Sequence, residues 1–282
     1  MLTFPRTIDK NGYTVVIESK NRALVSGGRL PHPVRVRRLL GEGDANPKTA
    51  KNKVATMGLS LFPHRGIGFG NVCPFAKNCV NSCLAHQGQG PVPSVVASRV
   101  AKTVLWYLDR EWFLAKLNRE LSAFRAAHHR RKTVGVRLNM FSDIPWERYG
   151  VIDAHPGITF YDYTKDPSRW GAVRPNYWVT FSYDGANGDH AARILSSGGN
   201  VSAVFHLETD AATCGKAAHR QPLPAVFLGF PVIDGGKTDW RPEDPRGVIV
   251  GLRLLARTYE SRSDAIDGGF SQRVNGLPIL SA

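Results

Sequence analysis

Cys73, Cys79 and Cys83, spaced by five and then three residues in a loop that runs on to His86, are the densest chemistry in the chain. Three thiolates on one loop can hold three irons of a [4Fe-4S] cluster and leave the fourth iron open to a substrate or cofactor. The same loop can hold zinc with His86 as fourth ligand, since structural zinc takes sulfur and nitrogen in a tetrahedron. A gap of five exceeds the two to four residues usual between the first pair of zinc ligands, which favours the cluster. Buried cysteines without any metal are a third reading. Cys214 stands alone, and His64 and His206 are further candidate ligands. Four cysteines are too few for a disulfide framework in a chain of 282 residues.

A second group consists of Asp143, Asp162, Lys165, Asp184 and Asn187, each just beyond or at the end of a strand-like segment. A desolvated carboxylate or lysine in such a place can act as acid or base. Equally, Asp162 and Lys165 can form an ion pair that closes the end of the fold. Asp184 and Asn187 can orient a substrate or simply make an Asx turn. The segment Asp234-Gly235-Gly236-Lys237-Thr238-Asp239 has some features of a calcium or phosphate loop but lacks the glutamate of the one and the glycine spacing of the other. There is no Walker or dinucleotide fingerprint and no serine-hydrolase elbow.

These groups need elements to carry them. Strands are expected near residues 13–18 and 34–40, then 57–62, 134–140, 158–163, 177–182, 201–207, 226–230 and 248–252. A helical pattern runs from Ser94, a good N-cap, to about Lys132, and Asp109 offers a cap for a second helix within it. Strands separated by helices or loops, with polar groups at their C-terminal ends, argue for α/β architecture: a partial or complete parallel β/α barrel, TIM-like, with an N-terminal β-rich extension. An open sheet is the rival. We divide the chain into a basic extension, 1–53, and a barrel-like domain, 54–282. The long loop 63–93 needs a ligand or metal to organise it.

The charge is uneven. The chain carries 37 basic and 23 acidic residues, yet up to Lys132 the balance is +15 and beyond it −1. Nucleic acid is the natural partner for so asymmetric a surface, and Arg35, Arg37, Arg38, Lys48, Lys51 and Lys53 are the candidate contacts. A generally basic, solubilising surface is the alternative. The run His128-His129-Arg130-Arg131-Lys132 suits the negative end of a helix dipole and offers further phosphate contacts. No apolar run approaches the roughly 20 residues of a membrane span, and the start lacks the pattern of a signal peptide, so the expected location is cytoplasmic.

A family resemblance rests on ordered motifs from about residue 46 to about 270. They are Asn46-Pro47-Lys48-Thr49-Ala50-Lys51, Met57-Gly58-Leu59-Ser60-Leu61, the cysteine loop ending Gln87-Gly88-Gln89-Gly90, Val136-Arg137-Leu138-Asn139 with Ser142-Asp143-Ile144-Pro145-Trp146-Glu147, Phe160-Tyr161-Asp162-Tyr163-Thr164-Lys165, Asn176-Tyr177-Trp178-Val179-Thr180-Phe181-Ser182, and Val232-Ile233-Asp234-Gly235 with Gly247-Val248-Ile249-Val250-Gly251-Leu252. In these the chain resembles the phage gene product eighty-eight domain family, which implies a bacteriophage or prophage origin, the host cytoplasm and a common fold, and no particular reaction. More loosely, a strand followed by a three-cysteine loop and a barrel resembles the radical S-adenosylmethionine enzymes. There the three cysteines hold a four-iron cluster whose open iron binds S-adenosylmethionine. The chain departs from that pattern in its spacing and in having Leu84 after the last cysteine, where an aromatic residue is usual. The expectation is therefore a phage-type iron–sulfur, radical-SAM-like enzyme acting on or near nucleic acid. One alternative is a zinc-stabilised base-modifying or base-exchange enzyme whose strand-end aspartates do the chemistry. Another is a zinc-stabilised nucleic-acid-binding protein of phage replication or regulation, with no catalysis.

Overall fold

Tyr13, Val15 and Ile17 alternate with less buried neighbours, the two-residue period of a strand covered on one face. They form the inner face of β2 (Tyr13–Ser19). It pairs antiparallel with β1 (Arg6–Lys10) and β3 (Arg22–Gly27), and β3 pairs with β4 (Val34–Val36), giving a four-stranded sheet in sequential order. Between β1 and β2 the two-residue turn Asn11-Gly12 has φ of 53° and 77°, the left-handed pair that a tight hairpin demands and that Asn-Gly adopts most readily. The computed structural model describes residues 3–42, 54–170, 174–207, 221–256, 258–274 and 277.

The second sheet has ten strands. Its members are β5 (Leu40–Glu42), β6 (Ala55–Leu59), β7 (Val134–Arg137), β8 (Thr159–Thr164), β9 (Tyr177–Ser182), β10 (Val201–His206), β11 (Val226–Phe227), β12 (Phe230–Asp234), β13 (Ile249–Arg253) and β14 (Ser271–Arg273). From one edge the order is β11, β12, β13, β10, β9, β8, β7, β6, β5, and β14 lies beside the C-terminal half of β10. All the pairings from β6 across to β12 are parallel, while β5 and β11 close the two ends antiparallel. The segment 34–40, which reads as one strand in the sequence, breaks into β4 in the small sheet and β5 in the large one.

The expected closed β/α barrel does not form. The sheet is open, with two- and three-residue strands at its ends, β11 and β5, which are too short to invite further pairing. A barrel also needs a ring of helices, and among the described residues the β7–β8 and β8–β9 connections carry only single 3-10 turns, Trp146–Tyr149 and Pro167–Arg169. The described residues contain four α-helices: α1 (Pro93–Leu108), α2 (Arg110–Ala127), α3 (Gly188–Ser196) and α4 (Tyr259–Asp267). Two of them fall in the single connection between β6 and β7. The protein is mostly β-sheet.

The helical stretch divides where expected. Asp109 ends α1 and caps α2, its side chain accepting a hydrogen bond from Trp112 N at 3.2 Å. Pro93, whose missing N–H costs nothing at a first helical position, starts α1 one residue before the expected cap at Ser94. One continuous core joins the small sheet (Val15, Ile17, Val25), the two helices (Val104, Leu105, Trp112, Leu117) and the large sheet (Leu59, Val136, Phe160). A polar staple reinforces it. The buried Lys116 amine donates to Asn21 O at 2.9 Å and Arg37 O at 2.8 Å and pairs with Glu120, which in turn accepts from the backbone of Leu39 and Leu40. A second core gathers α3 with β9, β10, β12 and β13 around Phe181, Ile194, Phe205 and Ile249. On β7, Gly135 leaves room for the ring of Trp240, which a Cβ at that position would strike.

Candidate functional site

Parallel strands deliver their C-terminal ends to one rim, and there the expected residues Asp143, Asp162, Lys165, Asp184 and Asn187 collect, joined by Asn139 just after β7. Most of them hold the rim together. Asp162, fully buried in β8, accepts from Asn139 N at 2.7 Å and from Tyr177 Oη at 2.9 Å. Burial pushes its carboxyl up to about 7, against the pull of Arg169, the Asn139 N–H, Arg137 and Tyr177. Asn139 Oδ1 accepts from Ser142 Oγ, Ile144 N and Trp146 Nε1, which pins the loop after β7.

Arg169 is the hub of this network, and its side chain is 1% exposed. It contacts Asp143 at 2.6 Å, grips Glu147 through Nε at 2.9 Å and Nη2 at 3.2 Å, and donates to Tyr177 Oη. Burial opposes its charge, yet Tyr177, Asp143 and Glu147 hold its pKa above the usual value. Asp143 also accepts from Thr164 Oγ1 at 2.7 Å and Lys165 N at 2.8 Å. The partner of Asp143 is thus Arg169, with Lys165 touching it only through the backbone. Arg169 was not among the candidate residues, and Tyr177 entered only as part of a family motif and a strand. The available signal was chemical: three carboxylates at neighbouring strand ends require a buried cation, and Arg169 lies in the loop that follows Lys165.

Lys165 has a different setting. Its ammonium donates to Ser182 Oγ at 2.6 Å, lies 5.6 Å from the centre of the Phe270 ring, and is close enough to Cys83 to favour the thiolate. Asp184 and Asn187 fix the loop after β9. Asn187 Oδ1 accepts from Asp184 N, its Nδ2 donates to Ser182 O, and Asp184 Oδ1 accepts from Ala186 N, an Asx turn.

The cysteine loop lies over this rim. Asp143 N donates to Val72 O at 2.7 Å, Cys73 Sγ donates to Phe141 O at 3.3 Å and accepts from His64 N at 3.4 Å, and Asn78 Nδ2 donates to Asp184 O at 2.9 Å. All three thiols are free and partly buried. Burial pushes the Cys73 thiol up to about 12, with Cys83, Asp143 and Cys79 adding to the rise against the His64 N–H. Burial and Cys79 raise Cys83, against the Ala85 N–H, Arg99 and Lys165. Arg99 on α1 secures the far side of the loop by donating to Ala85 O at 3.0 Å and Gly90 O at 3.3 Å, with its guanidinium 4.3 Å from the centre of the Phe141 ring.

Among the described residues no three His, Cys, Asp or Glu side chains form a group able to hold a single metal ion. His86 rests its ring edge-on against Phe62, and burial and Arg99 favour its neutral form.

Of the other expected positions, Arg35, Arg37 and Arg38 are exposed beside β4. Arg35 pairs with Glu18 at 3.2 Å and Arg38 with Glu42 at 3.3 Å. Asp234 and Asp239 are engaged by Arg253 at 2.7 Å and Arg137 at 3.1 Å. Lys48, Lys51, Lys53 and Cys214 lie outside the described residues. His206 is buried against Ser271 Oγ at 2.9 Å.

Fold and rim together define a two-sheet protein whose thiol-bearing loop is docked on the C-terminal ends of an open parallel array. The chain belongs to the Gene product 88 family, a phage gene product family whose model matches residues 37–268. The match takes in β5, the cysteine loop, the helices and the rim, and begins after the small sheet. No curated protein and no solved structure matches the chain. The looser resemblance to the radical S-adenosylmethionine enzymes gains no support from the family match, and the closed barrel it implied is replaced by an open sheet. No helix among the described residues is long and apolar enough to cross a membrane.

Proposed function

We propose that this chain is a phage enzyme acting on nucleic acid, with an iron–sulfur cluster carried on Cys73, Cys79 and Cys83. The observation that carries the reading is the thiol trio: three free sulfurs on one loop, within electrostatic reach of one another, with the cations Lys165 and Arg99 beside Cys83. Positive neighbours suit the net negative charge of thiolates bound to iron. A cluster on three cysteines supplies an open iron and a route for electrons.

The chain's own residues do the rest. Lys165, anchored on Ser182 Oγ, places a positive charge where an anionic substrate group would be oriented. Arg169, Asp143 and Glu147 keep the rim rigid, and Asn78 fixes the cysteine loop to it through Asp184. The nucleic-acid part rests on the charge of the first 132 residues and on exposed Arg35, Arg37 and Arg38. Their ion pairs with Glu18 and Glu42 are surface pairs worth at most about 1 kcal/mol, so a phosphate can displace them.

The test is anaerobic purification with iron and sulfide analysis. Broad absorption near ~400 nm is expected, lost in Cys73→Ala, Cys79→Ala and Cys83→Ala but kept in Lys165→Ala. A colourless protein with stoichiometric zinc, or one with no metal after reconstitution, would overturn the cluster.

A further inference from the structure

The basic run that follows α2 has a groove beside it at the end of the sheet where β7 and β8 begin, the end opposite the thiols. The groove has a volume of about 450 Å³, with Ser122, Arg125 and His129 on the helix side and His155 and Gly157 on the loop before β8. A helix C-terminus is an electronegative end, poorly suited to a phosphate. Here basic side chains cover its carbonyls. Arg125 Nη1 donates to His128 O at 2.8 Å and Arg131 O at 3.4 Å, and Nδ1 of His128 and His129 lie 3.0 and 3.1 Å from Phe124 O and Ala126 O.

Those contacts set the tautomers. A carbonyl only accepts, so Nδ1 of His128 and His129 carries the proton and Nε2 is the outer nitrogen. His155 is arranged the other way, with Nε2 at 2.9 Å from Asn118 Oδ1. Among the described residues no carboxylate lines the groove, and Asp153 on the facing loop is paired with Arg174 at 2.7 Å. A Cβ on Gly157 would lie 3.2 Å from Arg125 Nε, so the absent side chain keeps that guanidinium accessible from the loop side. Exposed Arg130, Arg131 and Lys132 extend the positive surface beyond the groove.

We propose that this groove binds the phosphodiester backbone of nucleic acid, as a second contact region apart from Arg35, Arg37 and Arg38. The proposal rests on the nucleic-acid reading above and adds where the strand is gripped: at the opposite end of the sheet from the thiols, which makes it a handle and not a place of reaction.

The full chain is titrated by fluorescence anisotropy with labelled duplex DNA of about 20 base pairs, the matching single strand and the matching RNA, over a series of salt concentrations. Two variants probe the groove. One is the triple substitution His129→Gln, Arg130→Gln, Lys132→Gln; the other is Ser122→Glu, which sets a carboxylate in the wall from an exposed helix position. Both should weaken binding at least about tenfold at low salt with an unchanged thermal midpoint, and the triple variant should flatten the duplex salt slope by about 2, for two lost phosphate contacts. The arms tell DNA from RNA as the source of the backbone. Wild-type protein that binds, with both variants binding equally well, overturns the groove and leaves the nucleic-acid reading intact. Wild-type protein that binds none of the three at low salt overturns both.

Discussion

At the level of single residues, buried ionic chemistry decides what can be changed. Arg169→Leu leaves Asp143 and Glu147 buried without their cation, so a loss of about 3 to 5 kcal/mol in urea unfolding is expected, with Arg169→Lys falling between. His206 gives the molecule an acid limit. Burial, Arg262 and Arg273 lower its pKa to about 4, so between about 6.5 and about 4 the unfolded chain binds the extra proton and the folded chain does not. Stability contributed by the neutral ring is therefore complete above about 6.5 and is lost as pH falls towards 4, by about 2 to 3 kcal/mol. Asp162 works the other way: its raised pKa makes the folded state hold a proton that the unfolded state has released, which lowers stability as pH rises through the same range. Comparing wild type with His206→Gln isolates the histidine: the wild-type minus variant difference in unfolding free energy should grow as pH rises from about 4 to about 6.5, and the variant should keep the opposing slope of Asp162. The sequence made the thiols and strand-end acids visible because their types and spacing are chemical signals. It hid Arg169 and Tyr177, whose importance arises only when loops distant along the chain meet.

Elements were legible where a local rule governs them. The 177–182 strand and the helix break at Asp109 follow from periodicity and capping, whereas the N-terminal hairpin went unread although its Asn11-Gly12 turn is a local signal too. Asp109 does two things, since its carboxylate also pairs with Arg6 of β1. Asp109→Asn keeps an acceptor for Trp112 N and Asp109→Ala does not, so thermal unfolding should rank wild type, then Asn, then Ala, with Ala about 1 to 2 kcal/mol down. Equal melting of the two variants would show that the ion pair, and not the cap, is what matters. The segments 34–40 and 226–230 were misread as single strands. In each, a short chain reversal or change of sheet occurs within a run whose apolar pattern does not announce it.

For the molecule as a whole, the error was one of closure. Strand ends converging on one rim are common to a barrel and an open parallel sheet, and no residue pattern within a strand says whether the first and last strands meet. The thin connections around β8 were the clue: 3-10 turns cannot supply a helical ring. Because one core runs from the small sheet through α1 and α2 to β8, unfolding followed by far-ultraviolet circular dichroism and by tryptophan fluorescence should give coincident transitions. Two separate midpoints would mean that the small sheet melts on its own. The docking of the cysteine loop bears on how the protein is made. Asn78 is held by Asp184, 106 residues later, and Ser82 Oγ reaches Ser261 O, 179 residues later, while the backbone at Gly268 lies against Asn78. During synthesis the thiols emerge long before the residues that clamp them. The three sulfurs therefore leave the ribosome with their shelter still untranslated, and the loop that carries them can dock only once residues 184 and 261 have been made.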